Sequence, residues 1–160
     1  MNDTNEINEI LAKSRELYDK GMTILNEGNL LLHNGISKYP DNTSLRLALA
    51  GHLASSGNLT DAHEIYKTVL QINPNDYFAL TGLAIVNFEQ HGFSDSLELA
   101  EKSLTIKDTP EARILICRYY LAIGNIEEAS KRLDATLDKF PNDPSVLLMK
   151  KSMTKFSNLR

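Results

Sequence analysis

The chain contains a single cysteine, Cys117. One thiol can neither staple a fold nor build a cysteine-based metal site. Excess positive charge is missing too: the net charge is -4 and the pI about 5.6. A nucleic-acid binder carries a basic stripe and a high pI, and an anionic membrane surface attracts polybasic segments, so both partners are disfavoured. No apolar run reaches the roughly 18 residues that span a bilayer; the best stretch, 114–123, is broken by Arg118. The opening residues, 1–9, are polar and acidic, unlike a secretory signal, so the expected location is the cytoplasm. The Asn-x-Ser/Thr triplets at Asn2, Asn42 and Asn58 are then chance matches.

What is present is a repeat. One segment runs from Thr43 through Leu49-Ala50, Gly57-Asn58, Asp61-Ala62 and Tyr66 to Asn73-Pro74. A second runs from Tyr77 through Leu83-Ala84, Gly92-Phe93 and Asp95-Ser96 to Lys107-Asp108. A third runs from Pro110 through Ile116-Cys117, Gly124-Asn125 and Glu128-Ala129 to Phe140-Pro141. Pro40 and Pro74 are 34 residues apart, and Pro141 follows after 34 plus 33, a one-residue deletion near Thr109. Inside each segment the apolar residues fall at i, i+3/i+4 and i+7, the period of an amphipathic helix. Leu45, Leu49 and Leu53 mark a first helix, and Ile65, Val69, Leu70 and Ile72 a second. Gly57, Gly92 and Gly124 stand where the first helix stops, in the left-handed backbone glycine tolerates. Thr109-Pro110 and Asp143-Pro144 each set a capping side chain before a first-turn proline.

Small residues where two helices would touch (Ala50 with Ala62, Ala84 with Ser96, Cys117 with Ala129), together with the 34-residue period, make the chain resemble the tetratricopeptide repeat (TPR) family. It departs from the family at the early aromatic slot, which holds Arg46, Leu80 and Arg113, and at Ala100 and Asp108, where an aromatic and a proline are usual. The resemblance implies an all-α, right-handed solenoid of three to four helical hairpins with a C-terminal capping helix. Its divisions are a degenerate N-terminal hairpin at 1–42, repeat units at 43–76, 77–109 and 110–143, and a cap at 144–160. In the N-terminal hairpin, residues 16–21 and Glu27-Gly28-Asn29 read as a first helix and its turn. In the cap, Lys150, Lys151 and Lys155 face water, as the end of a solenoid requires.

In the family, ligands lie on a concave side lined by first helices. Spacing carried over from it puts Ser44, Leu47, Gly51 and Ala54 there, then Phe78, Thr81, Ile85 and Phe88, then Glu111, Ile114, Arg118 and Leu121. The stripe is apolar, on the order of several hundred square ångströms, the size that marks interaction sites. The occupant expected is an amphipathic helix or extended peptide of another protein, with Arg118 free to meet an acid on it. Self-association, or cover by the chain's own N-terminal helix, would satisfy the same surface. Changing Phe78 and Phe88 together to Asp is expected to abolish binding and leave the fold intact. A clamp for a terminal carboxylate needs several cations, and the stripe has one.

No site chemistry competes with this reading. His33, His52, His63 and His91 lack zinc-ligand spacing and read as surface or turn residues. Cys117 fills a small buried slot. Glu127-Glu128 open a helix, where carboxylates suit the positive end of the dipole. Gly21, Gly28 and Gly35 follow no strand and precede no Gly-Lys-Ser/Thr, which excludes a phosphate loop. The expectation is a non-catalytic interaction module with no cofactor and no metal. The alternative is a dedicated chaperone for a secreted apolar partner, similar to the translocator chaperones of type III secretion.

Overall fold

A computed structural model describes residues 2–19 and 22–157. Those residues form nine helices and no strand: α1 (Asn2–Asp19), α2 (Met22–Lys38), α3 (Thr43–Ser55), α4 (Leu59–Ile72), α5 (Tyr77–Glu89), α6 (Phe93–Ile106), α7 (Pro110–Ala122), α8 (Ile126–Lys139) and α9 (Pro144–Ser157). Consecutive helices pair as hairpins, α1 with α2, α3 with α4 and α7 with α8. The chain divides within α5 into two compact units, Met1–Gly82 and Leu83–Arg160.

Local chemistry sets the helix ends. Asn42, Asn58 and Asn125 accept from Leu45 N at 3.0 Å, Asp61 N at 3.5 Å and Glu128 N at 3.1 Å, satisfying donors that no turn of helix precedes. Thr109 caps Ala112 N at 3.4 Å, and Asp143 caps Ser145 N and Val146 N at 2.9 and 3.1 Å, as the Thr-Pro and Asp-Pro pairs predict. The first helices stop at a left-handed residue, but only two of the three are glycines. Gly57 (φ 85°) and Gly124 (φ 78°) take that backbone; after α5 it is His91 (φ 65°), and Gly92 instead takes the N-cap place held elsewhere by Asn58 and Asn125. Gly92 is therefore one residue out of register with the other two. The single deletion is visible as the three-residue link 107–109, where the links 73–76 and 140–143 have four.

In the N-terminal unit the core is Leu32, Leu45 and Leu49, with Ile7, Ile10, Leu11, Ile36 and Ile65 packed on it. Glu27-Gly28-Asn29 is not a turn. Gly28 lies inside α2, where an added Cβ would sit 3.4 Å from the Ser14 carbonyl oxygen; at Gly35 it would meet Ile10 and Leu45 at 3.2–3.3 Å. The seven-residue spacing of these glycines lets neighbouring helices close on α2. Gly21 lies outside the described residues.

The second unit has two clusters. One joins Ala84, Ala100, Leu115 and Ile116; the other joins Cys117, Leu133, Val146 and Met149 across α7, α8 and α9. The small-residue slots are closed: Ala50, Ala62, Ala84, Ser96, Cys117 and Ala129 are fully buried. Each large apolar side chain so buried contributes roughly 1.5–3 kcal/mol. Ile72 and Ile106, read as part of the buried stripes, are half-exposed at the last residue of their helices. The arginines in the aromatic slot fasten the preceding loops. Arg46 donates to the Pro40 carbonyl at 2.7 Å, and Arg113 donates to Asp108 at 2.5 and 2.8 Å, with Lys139 closing on the same carboxylate. Asp108 thus ties by charge the corner that proline stiffens elsewhere. In α9, Lys150 and Lys151 stand 34 residues after Ile116 and Cys117 and are exposed, so the face that would bury a further helix is solvated. The Lys155 side chain lies outside the described residues.

Candidate binding surface

The first helices supply the expected stripe, and each unit places its share differently. In the N-terminal unit, Leu47 and Phe78 come together in an open cleft of about 390 Å³, lined also by Leu11, Ser44, Ala48 and Tyr66. Phe78 is 61% exposed and stacks its ring obliquely on Tyr77, 4.2 Å between centroids. Gly51 and Ala54 are half-buried on the same helix as Leu47. Thr81 is buried, so its side chain offers a partner little surface. Three lining residues lay outside the predicted stripe. Leu11 comes from α1, which packs on α3 as well as α2. Ala48 is the neighbour of Leu47. Tyr66 comes from the second helix α4, where bulk reads as core.

Tyr66 reaches the cleft because glycine makes room. A Cβ on Gly82 would lie 2.3 Å from the Tyr66 Cζ, 2.5 Å from Cε1 and 2.7 Å from the hydroxyl oxygen, all impossible contacts. At Gly51 a Cβ would come only within 4.0 Å of the same oxygen. The Tyr66 residue is 7% exposed, and burial pushes its hydroxyl up to about 12.

In the second unit, Phe88 and Ile85 lie against the Ala84–Ile116 cluster, and Ile114 and Leu121 against the Cys117–Met149 cluster. Phe88 meets Phe93 at 5.1 Å, and the Arg118 guanidinium covers its ring at 4.5 Å. Arg118 also donates to Glu89 at 2.6 Å. The cation expected to await a partner's acid is therefore already paired within its own unit. Phe88 is likewise a packed residue, unlike Phe78, and the two are not equivalent positions for mutation. Leu148, 34 residues after Ile114, was missed by the stripe; it is 65% exposed on α9.

The remaining chemistry-bearing residues have structural partners. Cys117 is buried, and desolvation pushes its thiol up to about 11. His52 is no simple surface residue: it hydrogen-bonds Asn29 at 3.2 Å and stacks on Tyr18, 4.7 Å between centroids. Glu128 in the first turn of α8 accepts from Arg132 at 2.7 Å. No helix among the described residues is long and apolar enough to cross a membrane.

The sequence matches the family described as tetratricopeptide repeat over residues 25–84 and 87–152. It is 30% identical over 100 residues to Protein CTR9 homolog of Arabidopsis thaliana, covering 60% of this chain and 9% of that protein. The chain thus spans less than a tenth of that curated relative. Two solved structures share the fold. PilF of Pseudomonas aeruginosa superposes with a TM-score of 0.82 at 14% identity, over 99% of this chain and 72% of that one. The Yersinia enterocolitica type III secretion translocator chaperone SycD superposes with a TM-score of 0.64 at 18% identity, over 73% and 95%.

Proposed function

The chain belongs to the tetratricopeptide repeat family, and from that premise we propose that it is a non-catalytic interaction module holding an apolar segment of another protein. The observation that carries this reading is the cleft of the N-terminal unit, where Phe78 is left 61% exposed beside Leu47 and Leu11. Exposed side chains of this size cost solubility, and a partner that covered Phe78 would gain roughly 1.5–3 kcal/mol from it. The cleft's lining residues carry no carboxylate, amine or imidazole, which supports binding over catalysis. Ile85, Phe88, Ile114, Arg118 and Leu121 of the second unit, with Leu148, extend the proposed surface.

The test compares pull-downs from the native source by the intact protein and by Phe78→Asp, read by mass spectrometry. The reading requires a partner that the wild type retains and the variant loses, while helical content by circular dichroism stays the same. An unchanged set of captured proteins would refute it. A second reading, a dedicated chaperone for a secreted apolar partner, draws on the shared fold with SycD, itself named a translocator chaperone. One co-purifying partner that is itself apolar and membrane-active favours that role; several loosely held partners favour a scaffold.

A further inference from the structure

Tyr66 is an unusual lining for an apolar cleft. Its residue is 93% buried by the exposure just given, yet its hydroxyl faces the space between Leu47 and Phe78 and has no hydrogen-bond partner among the described residues. The chain leaves out a side chain at Gly82 to admit the ring. Burial keeps the phenol protonated well beyond neutral pH, so it remains a donor. A ligand that covered this hydroxyl without accepting from it would strip its bond to water and return nothing.

Complementarity of charge and of size then selects the occupant. The cleft presents the partial positive charge of an O–H at its floor, and Ser44 is the other hydroxyl that lines it. An oxygen acceptor beside an apolar side chain answers that arrangement. A helix does not offer one, because its carbonyls are engaged within the helix, and its width of about 10–12 Å exceeds a space of about 390 Å³. An extended strand leaves carbonyls free, with side chains alternating to either side. On the reading that this cleft holds a partner protein, we propose that Tyr66 selects an extended peptide segment, accepting one apolar side chain between Leu47 and Phe78 and donating its hydroxyl to a backbone carbonyl next to that side chain.

The experiment pans phage-displayed random 12-residue peptides on the full chain. Recovered sequences are remade as acetylated, amidated peptides, and Kd is measured by fluorescence polarisation on wild type, Tyr66→Phe and Phe78→Asp. The proposal expects Phe78→Asp to abolish binding and Tyr66→Phe to weaken it about 5–20-fold, the range of one hydrogen bond to a neutral group. It also expects replacing one backbone amide by an ester, a weaker acceptor, to reduce affinity for wild type and not for Tyr66→Phe. If Phe78→Asp abolishes binding while Tyr66→Phe binds within twofold of wild type, or if the peptides bind as helices, the role of Tyr66 falls and the cleft stands. If Phe78→Asp binds as wild type does, or no peptide is recovered, both fall.

Discussion

Phe78 and Phe88 lie on the same helix and read alike in sequence, but truncating them should have opposite consequences. Phe88→Ala removes the ring stacked on Phe93 at 5.1 Å and covered by Arg118 at 4.5 Å, and opens the edge of the Ala84–Ile116 cluster. The aromatic pair is worth about 0.5–1.5 kcal/mol and the exposed cation–π contact about 0.5–1. The partial burial adds about 1 kcal/mol, so the loss is about 2–3 kcal/mol. At about 2–4 °C per kcal/mol for a chain of this size, Tm should fall by about 4–12 °C. Phe78 is 61% exposed, and a surface truncation changes stability by about 0.5 kcal/mol, or some 1–2 °C. The assay is thermal and urea unfolding of both single variants, followed at 222 nm, with partner or peptide binding measured on the same samples. The expected pattern is a destabilised Phe88→Ala and a stable, binding-deficient Phe78→Ala. Equal destabilisation, or a larger loss at Phe78, would refute the division between a packed and a presented phenylalanine.

Asp108 is held well below the usual carboxylate range, chiefly by the Arg113 hydrogen bonds and then by Lys139. Its contribution is therefore present above the unfolded value of about 3.9 and is lost as pH falls below it; urea midpoints between pH 6 and pH 2.5 should drop further for wild type than for Asp108→Asn. Cys117, with its thiol pushed up to about 11 and fully buried, should react with a disulfide reagent at pH 8 only as fast as the native protein opens; a rate matching a free thiol's would contradict its buried place. Gly82→Ala should force the Tyr66 ring aside and cost about 1–3 kcal/mol in denaturant unfolding, whereas Gly51→Ala, with its nearest neighbour at 4.0 Å, should be near neutral.

What the sequence disclosed follows from how local each cause is. The helices, the caps at Thr109 and Asp143 and the small contacts of Ala50, Ala62, Ala84, Ser96, Cys117 and Ala129 rest on period, on neighbours in the chain or on a repeat that states the same rule three times. His91 was hidden because one glycine lies beside the left-handed position and draws the eye to itself; only the 34-residue register separates Gly92 from Gly57. The N-terminal hairpin was misplaced because a helix glycine that admits a neighbour looks, in sequence, like one that ends a helix, as at Gly28. Arg118 was expected to be free because its acid, Glu89, is 29 residues away on another helix. Tyr66 was hidden for a different reason: bulk at that slot reads as core, and the space that turns it toward the cleft belongs to Gly82, in the next hairpin. A scan for glycines facing bulky residues of the preceding second helix would have been the signal.

The measurement that bears most directly on the binding surface is a two-dimensional NMR titration of the full chain with a bound partner segment or selected peptide. The account predicts the largest shifts and intermolecular contacts at Leu11, Leu47, Ala48, Tyr66 and Phe78, with the Tyr66 hydroxyl slowed in exchange. Shifts concentrated away from these residues, with Phe78 unmoved, would contradict it.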